Sequence, residues 1–419
     1  MKRFINITFS LFVCLMASSA MASGFMVPEL SASAMGKGSA VMTDSDDPAM
    51  IWYNAGSQAF LPSASFSGVA LFALGHTDFE PAGGGPVQAT VDKLFVLPRL
   101  FADFEVAPWM HAGIGVYTAY GMGVRYEDDW IGRVNGIKSE MSTLSFNPSL
   151  SFKVHPRLGI GLGFVAMKAG AELVNGLPEA VGGTVKFGGE GWAFGGNAGI
   201  TFKAIPDVLD VGLSYRSRLL LPLEGRVDFD PSPDFARVLL DQPAKTEITT
   251  PDYITAGLGF NVTPRVRIGL DANFILWSLY DELVLELDDG QNLASKYGYE
   301  NSFIIRIGVD WQPEFAEGLA LRGGFIYDDN PAHEGAVGPT MPDADKLNFT
   351  AGLGYTWRWL RADASYMLNY YLPNEVSGAT TTPDGTYKTL AHMIAVGITV
   401  SFDSDSGCDK EVVAETPVE

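Results

Sequence analysis

The feature that most constrains this chain is how the connections between its strand-like stretches sort by length. Segments that alternate large apolar with small or polar residues recur about fourteen times. They lie near 64–79, 94–107, 111–124, 141–154, 158–167, 191–203, 208–218, 252–261, 265–286, 302–312, 318–327, 347–357, 359–371 and 391–402. The links between them are short and long in turn. Short ones read APW (107–109), HPR (155–157), KAIPD (203–207), VTPR (262–265), QPEFAEG (312–318) and a tight turn near Arg358. Long ones cover roughly 80–93, 125–140, 174–190, 219–251, 287–301, 328–346 and 372–390. A soluble sandwich has no reason to gather its short turns at one end. A barrel crossing an outer membrane does, with turns on the periplasmic side and loops outside.

The alternation also says which face meets which solvent. In AHMIAVGITVSF (391–402), His392, Ile394, Val396, Ile398, Val400 and Phe402 share one face; Ala391, Met393, Ala395, Gly397, Thr399 and Ser401 share the other. LGIGLGFVAM (158–167) repeats the pattern with glycines on the small face. The large face is assigned to lipid and the small one to the lumen. Closing the sheet leaves no backbone group unpaired in hydrocarbon. The expected fold is therefore all-β and transmembrane: an antiparallel 14-stranded outer-membrane barrel over 64–402. Beyond the leader no run of 18 apolar residues occurs, so membrane-spanning helices are excluded. Trp109, Trp130, Trp192, Trp277, Trp311, Trp357 and Trp359 fall near strand ends, as an interfacial girdle would. Asn147-Pro148 inside a strand suggests a bulge.

A lumen this wide is not filled by wall side chains alone. Residues 23–63 carry no strand alternation and are expected to form a small, partly helical N-terminal hatch inside the barrel. Asp46-Asp47-Pro48 reads as a helix start and Gly56 as its stop. Ahead of it, Lys2 and Arg3, an apolar run and Ala20-Met21-Ala22 make residues 1–22 a signal peptide, cleaved before Ser23. Cys14 is a poor lipoprotein site because bulky Val13 precedes it; Cys408 then remains as one tail thiol. Residues 403–419 form an acidic periplasmic tail. A formal charge of −21 argues against a nucleic-acid partner.

Several blocks resemble a known family. SGFMVPELSASAMGKGSAVMTDSDDPAMIWYNAG (23–56), YEDDWIGR (126–133), SFNPSLSFKV (145–154), GWAFGGNAGI (191–200), LSYRSRL (213–219), WSLYDEL (277–283), FIYDDNPA (325–332) and MPDADKLNFTAGLGY (341–355) occur in family order. They are similar to the FadL-type outer-membrane transporters of long-chain fatty acids and aromatic hydrocarbons. The resemblance implies a hydrophobic small-molecule ligand, captured by extracellular loops, held in an internal pocket and released sideways where the third strand kinks. It places that lateral opening at Tyr117, Thr118, Ala119, Tyr120 and Gly121, with Phe95 and Gly199 nearby. The family's Asn-Pro-Ala in the hatch is Asn54-Ala55-Gly56 here, which implies a looser turn. Its two carboxylate-binding cations align with Asn175 and Ser295, leaving Lys296, and Lys168 from a nearby strand, as candidate partners for a carboxylate. That loss of positive charge tilts the reading toward a neutral ligand.

No enzyme is expected. His76, His111, His155, His333 and His392 are scattered and no G-x-S-x-G motif accompanies them. No cofactor, catalytic residue or metal site is assigned. Asp128-Asp129, Asp288-Asp289 and Asp328-Asp329 are either solvated loop residues or holders of cations that bridge lipopolysaccharide. Leu219, Leu220, Leu221 and Leu223 in the 219–251 connection either receive apolar ligands or pack on their neighbours. The expected partners are the ligand, outer-membrane lipid and lipopolysaccharide, with the chain acting as a monomer. The alternative is a structural or adhesive surface protein without transport, which predicts no internal apolar site.

Overall fold

The computed structural model describes residues 25–402 apart from 281, 291, 297, 333–336 and 379–382. The expected signal peptide, Cys14, the tail with Cys408, and His333 lie outside the described residues.

The wall has fourteen staves: β1 (Ala64–Pro81), β2 (Lys93–Ala107), β3 (Met110–Tyr117 and Gly121–Arg125), β4 (Lys138–His155), β5 (Leu158–Gly176), β6 (Gly183–Ile205), β7 (Leu209–Arg216 and Leu220–Pro231), β8 (Gln242–Thr249 and Tyr253–Thr263), β9 (Val266–Ile275 and Glu282–Leu287), β10 (Asn292–Lys296 and Ser302–Trp311), β11 (Leu319–Asp328), β12 (Lys346–Trp357), β13 (Leu360–Tyr371) and β14 (Gly385–Phe402). Two short pieces, Gln88–Ala89 and Asn374–Val376, extend β1 and β14 outward. Every neighbour is antiparallel, and β14 pairs with β1 from Ala64↔Phe402 to Pro81↔Gly385, which closes the cylinder. No described helix is long and apolar enough to cross a membrane.

The two faces separate as their chemistry requires. On β14, Ile394 and Ile398 are 49% and 56% exposed, while Ala391, Met393 and Ala395 are fully buried. At about 3.3 Å per residue, the 18, 19 and 23 residues of β4, β5 and β6 exceed the nine to eleven or so that a bilayer needs. Their upper ends therefore stand outside the bilayer. There the outer face turns from apolar to charged: Lys138 bridges Glu140 and Glu172, both at 2.6 Å, and Lys186 meets Glu172 at 2.6 Å.

Residues 25–61 run inside this cylinder and are buried almost throughout. Helix α1 (Ala32–Gly36) is capped by Ser31, whose hydroxyl accepts from the Ala34 N–H. Helix α2 (Met50–Tyr53) begins later than the sequence suggests. Asp47 Oδ1 instead accepts from the Ala49 N–H, and α2 itself has no side-chain cap. Gly56 does not stop the helix either. Asn54, in extended geometry, ends α2 and caps a 3₁₀ turn over Ala55–Phe60 that contains Gly56.

Polar groups fasten this segment around the whole wall. Arg361 on β13 donates to Asp46 at 2.7 Å and Asp47 at 3.1 Å. Asp44 takes Lys37 at 2.5 Å and Arg267 of β9 at 2.8 Å. Asp271 accepts from the Val41 and Met42 N–H groups, and Gln58 Nε2 donates to Asp103 of β2 at 2.7 Å. Buried ion pairs add little net stability against apolar replacements, but they fix position, because stranding one partner is costly. The backbones also approach closely. A Cβ on Gly199 would lie 2.0 Å from Asn54 Oδ1, and one on Gly161 would lie 2.2 Å from the Ala55 carbonyl. Only a wall without side chains there admits the segment.

Three further expectations are corrected. Asn147-Pro148 is not a bulge: the β4–β5 register runs unshifted from Phe146↔Ala166 to Ser149↔Gly163. Asn147 Nδ2 donates to the Phe164 carbonyl at 3.0 Å, standing in for ladder bonds that the proline cannot make. The 219–251 connection is mostly strand, the upper half of a β7–β8 hairpin whose pairing runs from Leu220↔Thr249 to Val227↔Gln242. Of the seven tryptophans, Trp109, Trp192, Trp311, Trp357 and Trp359 face outward, but Trp130 and Trp277 are buried inside.

Candidate functional site

The wall's ladder is interrupted between β6 and β7, from Asn197↔Arg216 to Glu190↔Glu224, between β8 and β9, from Tyr253↔Ile275 to Lys245↔Glu286, and between β2 and β3, where the N-terminal segment meets the gap. Pairing of β2 with β3 runs from Ala107↔Met110 up to Leu100↔Val116 and stops. Residues 118–120 leave strand geometry, and the outer half of β3, from Gly121, pairs only with β4, beginning at Gly121↔Ser142. Contact resumes higher up, where the Val91 N–H donates to the Arg125 carbonyl at 2.7 Å and Thr90 bridges Tyr126. Between these points, residues 93–99 of β2 face 117–123 with no backbone pairing. Pro98 could not donate there in any case.

The N-terminal segment supplies what β2 does not. The Val27 N–H donates to the Ala119 carbonyl at 2.7 Å, and the Gly121 N–H donates to the Phe25 carbonyl at 2.8 Å. The front end thus acts as a short extra strand on the inner side of the interruption. Thr118 and Thr143 complete the anchoring, the Thr118 hydroxyl donating to the Thr143 carbonyl at 2.7 Å and the Thr143 hydroxyl to the Tyr120 carbonyl at 2.5 Å.

Around this point the lumen is aromatic. Phe25 meets Trp277 edge-on at 4.9 Å and Tyr280 at 5.6 Å. Trp52 meets Tyr117 at 5.4 Å, and Tyr117 stacks on Phe101 at 5.6 Å. Arg216 lies over Trp52 at 3.8 Å and donates to the Trp52 carbonyl and, at 3.3 Å, to the Tyr117 hydroxyl. Leu219, Leu221 and Leu223 point inward and are buried beside them, whereas Leu220 faces out. A cavity of about 50 Å³ lies directly behind the unpaired stretch, lined by Gly75, Phe95, Gly123, Val124, Met341 and Tyr371 among others. At the short-turn end two larger cavities, of about 300 and 590 Å³, are lined by charged groups including Lys37, Asp46, Asp310, Arg267 and Arg322.

The structure brings together most of the wall residues named from sequence and separates others. Tyr117, Thr118, Ala119, Tyr120 and Gly121 lie at the interruption itself, and Phe95 stands on the facing inner edge of β2. Gly199 does not join them. It sits on β6, three staves from β3, against Asn54. Asn54 is fully buried: its Nδ2 donates to the Met42 carbonyl and the Thr201 hydroxyl, both at 2.9 Å, and its Oδ1 accepts from the Gly56 N–H. The turn through Ala55 is therefore pinned without the family's proline. Lys168 is a correction. It projects from the outer face of β5 and pairs with Glu190 at 2.9 Å, so it does not line the lumen. Asn175 lies at the top of β5, opposite Val185. Lys296 ends a strand piece opposite Glu282, and its side chain lies outside the described residues. Asp328 is buried 3.8 Å from Lys346 rather than solvated.

Arg99 and Arg216 were missed by sequence reasoning. Both are cations on the lumen parity of a strand, a placement that alternation alone can reveal.

A closed antiparallel cylinder with an apolar exterior, an occupied lumen and an unpaired stretch of wall backed by its N-terminal segment is an outer-membrane barrel of the transport class. The chain belongs to the family described as outer membrane protein transport protein (OMPP1/FadL/TodX), whose model matches residues 13–403. A long-chain fatty acid transport protein of Escherichia coli O6:H1 is 24% identical over 85% of this chain and 89% of its own length. Outer membrane protein P1 of Haemophilus influenzae is 22% identical over 85% of this chain and 87% of its own. Among solved structures, a Pseudomonas aeruginosa FadL homologue superposes with a TM-score of 0.83 at 18% identity, covering 90% of this chain and 100% of that one. The P. putida toluene transporter TodX gives 0.72 at 18%, covering 88% and 98%. The chain is an outer-membrane protein with the fold of these barrels.

Proposed function

We propose that this protein is a passive channel for hydrophobic small molecules, long-chain fatty acids or hydrocarbons. In this reading the ligand enters from the extracellular loops, rests among the aromatic side chains near Phe25 and Trp277, and leaves through the wall between β2 and β3. The unpaired stretch between Leu100↔Val116 and Thr90↔Tyr126 carries the reading. An apolar solute gains nothing from the charged cavities at the periplasmic end. A sideways exit delivers it to acyl chains without returning it to water. The relatives' names, fatty acid transport and toluene transport, support the substrate range. The protein performs no covalent chemistry in this reading and acts as a monomer in outer-membrane lipid.

The test closes the wall. Cysteines replacing Phe95 and Gly123, in a chain with Cys408→Ser, flank the cavity behind the opening. A short bifunctional thiol reagent joining them should abolish most uptake of a labelled fatty acid into proteoliposomes, and a cleavable reagent should allow recovery. Uptake unchanged by the cross-link would refute the lateral route. Single-cysteine controls should be indifferent to the reagent.

A further inference from the structure

A cavity at the periplasmic end of the lumen is left unused by the transport reading. It measures about 590 Å³, lies between the β10–β11 and β12–β13 turns, and is lined by Asp46, Asp310, Glu317, Arg322, Arg358 and Arg361 among others. Two of its arginines are committed inside the protein. Arg322 holds Asp310 and Asp363, both at 2.6 Å, and Arg361 holds Asp46, Asp47 and Asp363. Three other groups are not. Asp310 is 9% exposed; Arg322 and, at 3.9 Å, Lys37 face its Oδ2, but its Oδ1 has no hydrogen-bond partner among the described residues. Glu317, exposed on the β10–β11 turn, forms no ion pair among the described residues. Arg358, in the β12–β13 turn, lies over Trp357 at 5.2 Å and has no carboxylate partner among them either. A buried acceptor left unmet is costly, so a donor belongs on Asp310, and an anion suits the free guanidinium of Arg358. The lining continues onto Tyr355 and Trp357, whose side chains face lipid, and Asp310 directly precedes Trp311 of the same girdle. The cavity therefore sits at the level of phospholipid head groups, under the rim of the barrel.

We propose that this cavity receives the head group of a primary-amine phospholipid from the periplasmic leaflet. The ammonium donates to Asp310 Oδ1 and to Glu317, the phosphate accepts from the Arg358 guanidinium, and the acyl chains stay outside along Tyr355 and Trp357. A primary ammonium carries three N–H donors and a trimethylated one carries none, so the site discriminates by hydrogen bonding as well as by charge. Asp46 of the lumenal segment lines the same cavity, so the head group lies against that segment where Arg361 holds it. The site stands apart from the wall opening and does not depend on the lateral route.

The test offers the purified protein phosphatidylethanolamine and phosphatidylcholine with identical chains, in equal amounts in neutral detergent, and reads the retained lipid by native mass spectrometry. Wild type should keep phosphatidylethanolamine in about tenfold preference, the scale of a charge-assisted hydrogen bond. Asp310→Asn combined with Glu317→Gln should bring the two lipids level. Arg358→Asn, an exchange that the left-handed φ of 56° tolerates, should weaken retention of both. No preference in wild type, a preference that survives the double variant, or retention unchanged by Arg358→Asn overturns the proposal. If the double variant fails to fold, wild type decides through a carbodiimide, which joins an amine to an adjacent carboxylate as an amide. The lipid adduct should map to Glu317 or Asp46, and its absence from both overturns the proposal. Glycerophosphoethanolamine, which lacks acyl chains, should compete only weakly; full competition at equal concentration would reject a lipid as the occupant.

Discussion

Arg361 illustrates how single residues hold this molecule together. One guanidinium joins Asp46 and Asp47 of the lumenal segment to Asp363 of its own strand. Arg361→Met leaves Asp47 buried without its cation, while Asp363 keeps Arg322 at 2.6 Å, at a cost of about 3 kcal/mol. We expect trypsin then to cut after Lys37 at neutral pH, a bond protected in wild type. Asp46 adds a pH dependence. It faces Lys37, Arg361, Arg322 and the Asp310 carboxylate. Enclosure pushes its pKa up, but Lys37, Arg361 and Arg322 outweigh this and hold it well below the usual carboxylate range. A depressed carboxyl stabilises the folded state fully above its unfolded value of about 3.9, and the contribution fades as pH falls through the folded value. Protection at Lys37, read with an acid-stable protease or by hydrogen exchange, should therefore weaken below about pH 4, and less steeply in Arg361→Met. None of this was legible in the sequence, because an arginine in RADASY looks like any strand arginine until its partners close around it.

At the scale of the element, what period and punctuation could reveal was revealed. The position of every stave follows from alternation between turn-forming residues, but the long connections are overestimated: 174–190 shrinks to 177–182 and 219–251 to 232–241. What was missed has physical causes. Strands that rise beyond the bilayer lose the apolar outer face that marks them, so Leu220–Pro231 and Gln242–Thr249 read as loop. The Asn147-Pro148 step read as a bulge because a proline normally breaks a ladder; the compensating side-chain donor cannot be seen from composition. Asn147 also accepts from the Tyr117 hydroxyl at 2.8 Å and donates to Asn197 at 3.1 Å, linking β4 to the interruption in β3. Asn147→Ala should cost about 1–3 kcal/mol by stranding buried partners. It should lower the temperature at which the barrel loses its heat-modifiable mobility on a gel, while uptake falls less than stability does.

For the whole molecule, the decisive property is that the lumen is occupied and the wall is not continuous. Residues 25–61 fill the cylinder and are tied to β2, β6, β9, β12 and β13 by side-chain bonds. A planar bilayer holding wild type should show no steady ion current, whereas a variant lacking 25–61 should conduct if its barrel still assembles. A quiet trace from that variant, with the barrel verified by circular dichroism, would mean that the loops rather than the lumenal segment seal the pore.

The glycine-smooth interior sets how this chain is free to vary. Where Gly161 and Gly199 meet the backbone of Ala55 and the side chain of Asn54, one added methyl has nowhere to go. The outward positions of the same staves require only that a side chain be oily. Sequence drift should therefore be lopsided, with the surface touching lipid recoloured almost at will. The inner surface behaves like a mould cast around one particular object, so mould and object can change only together.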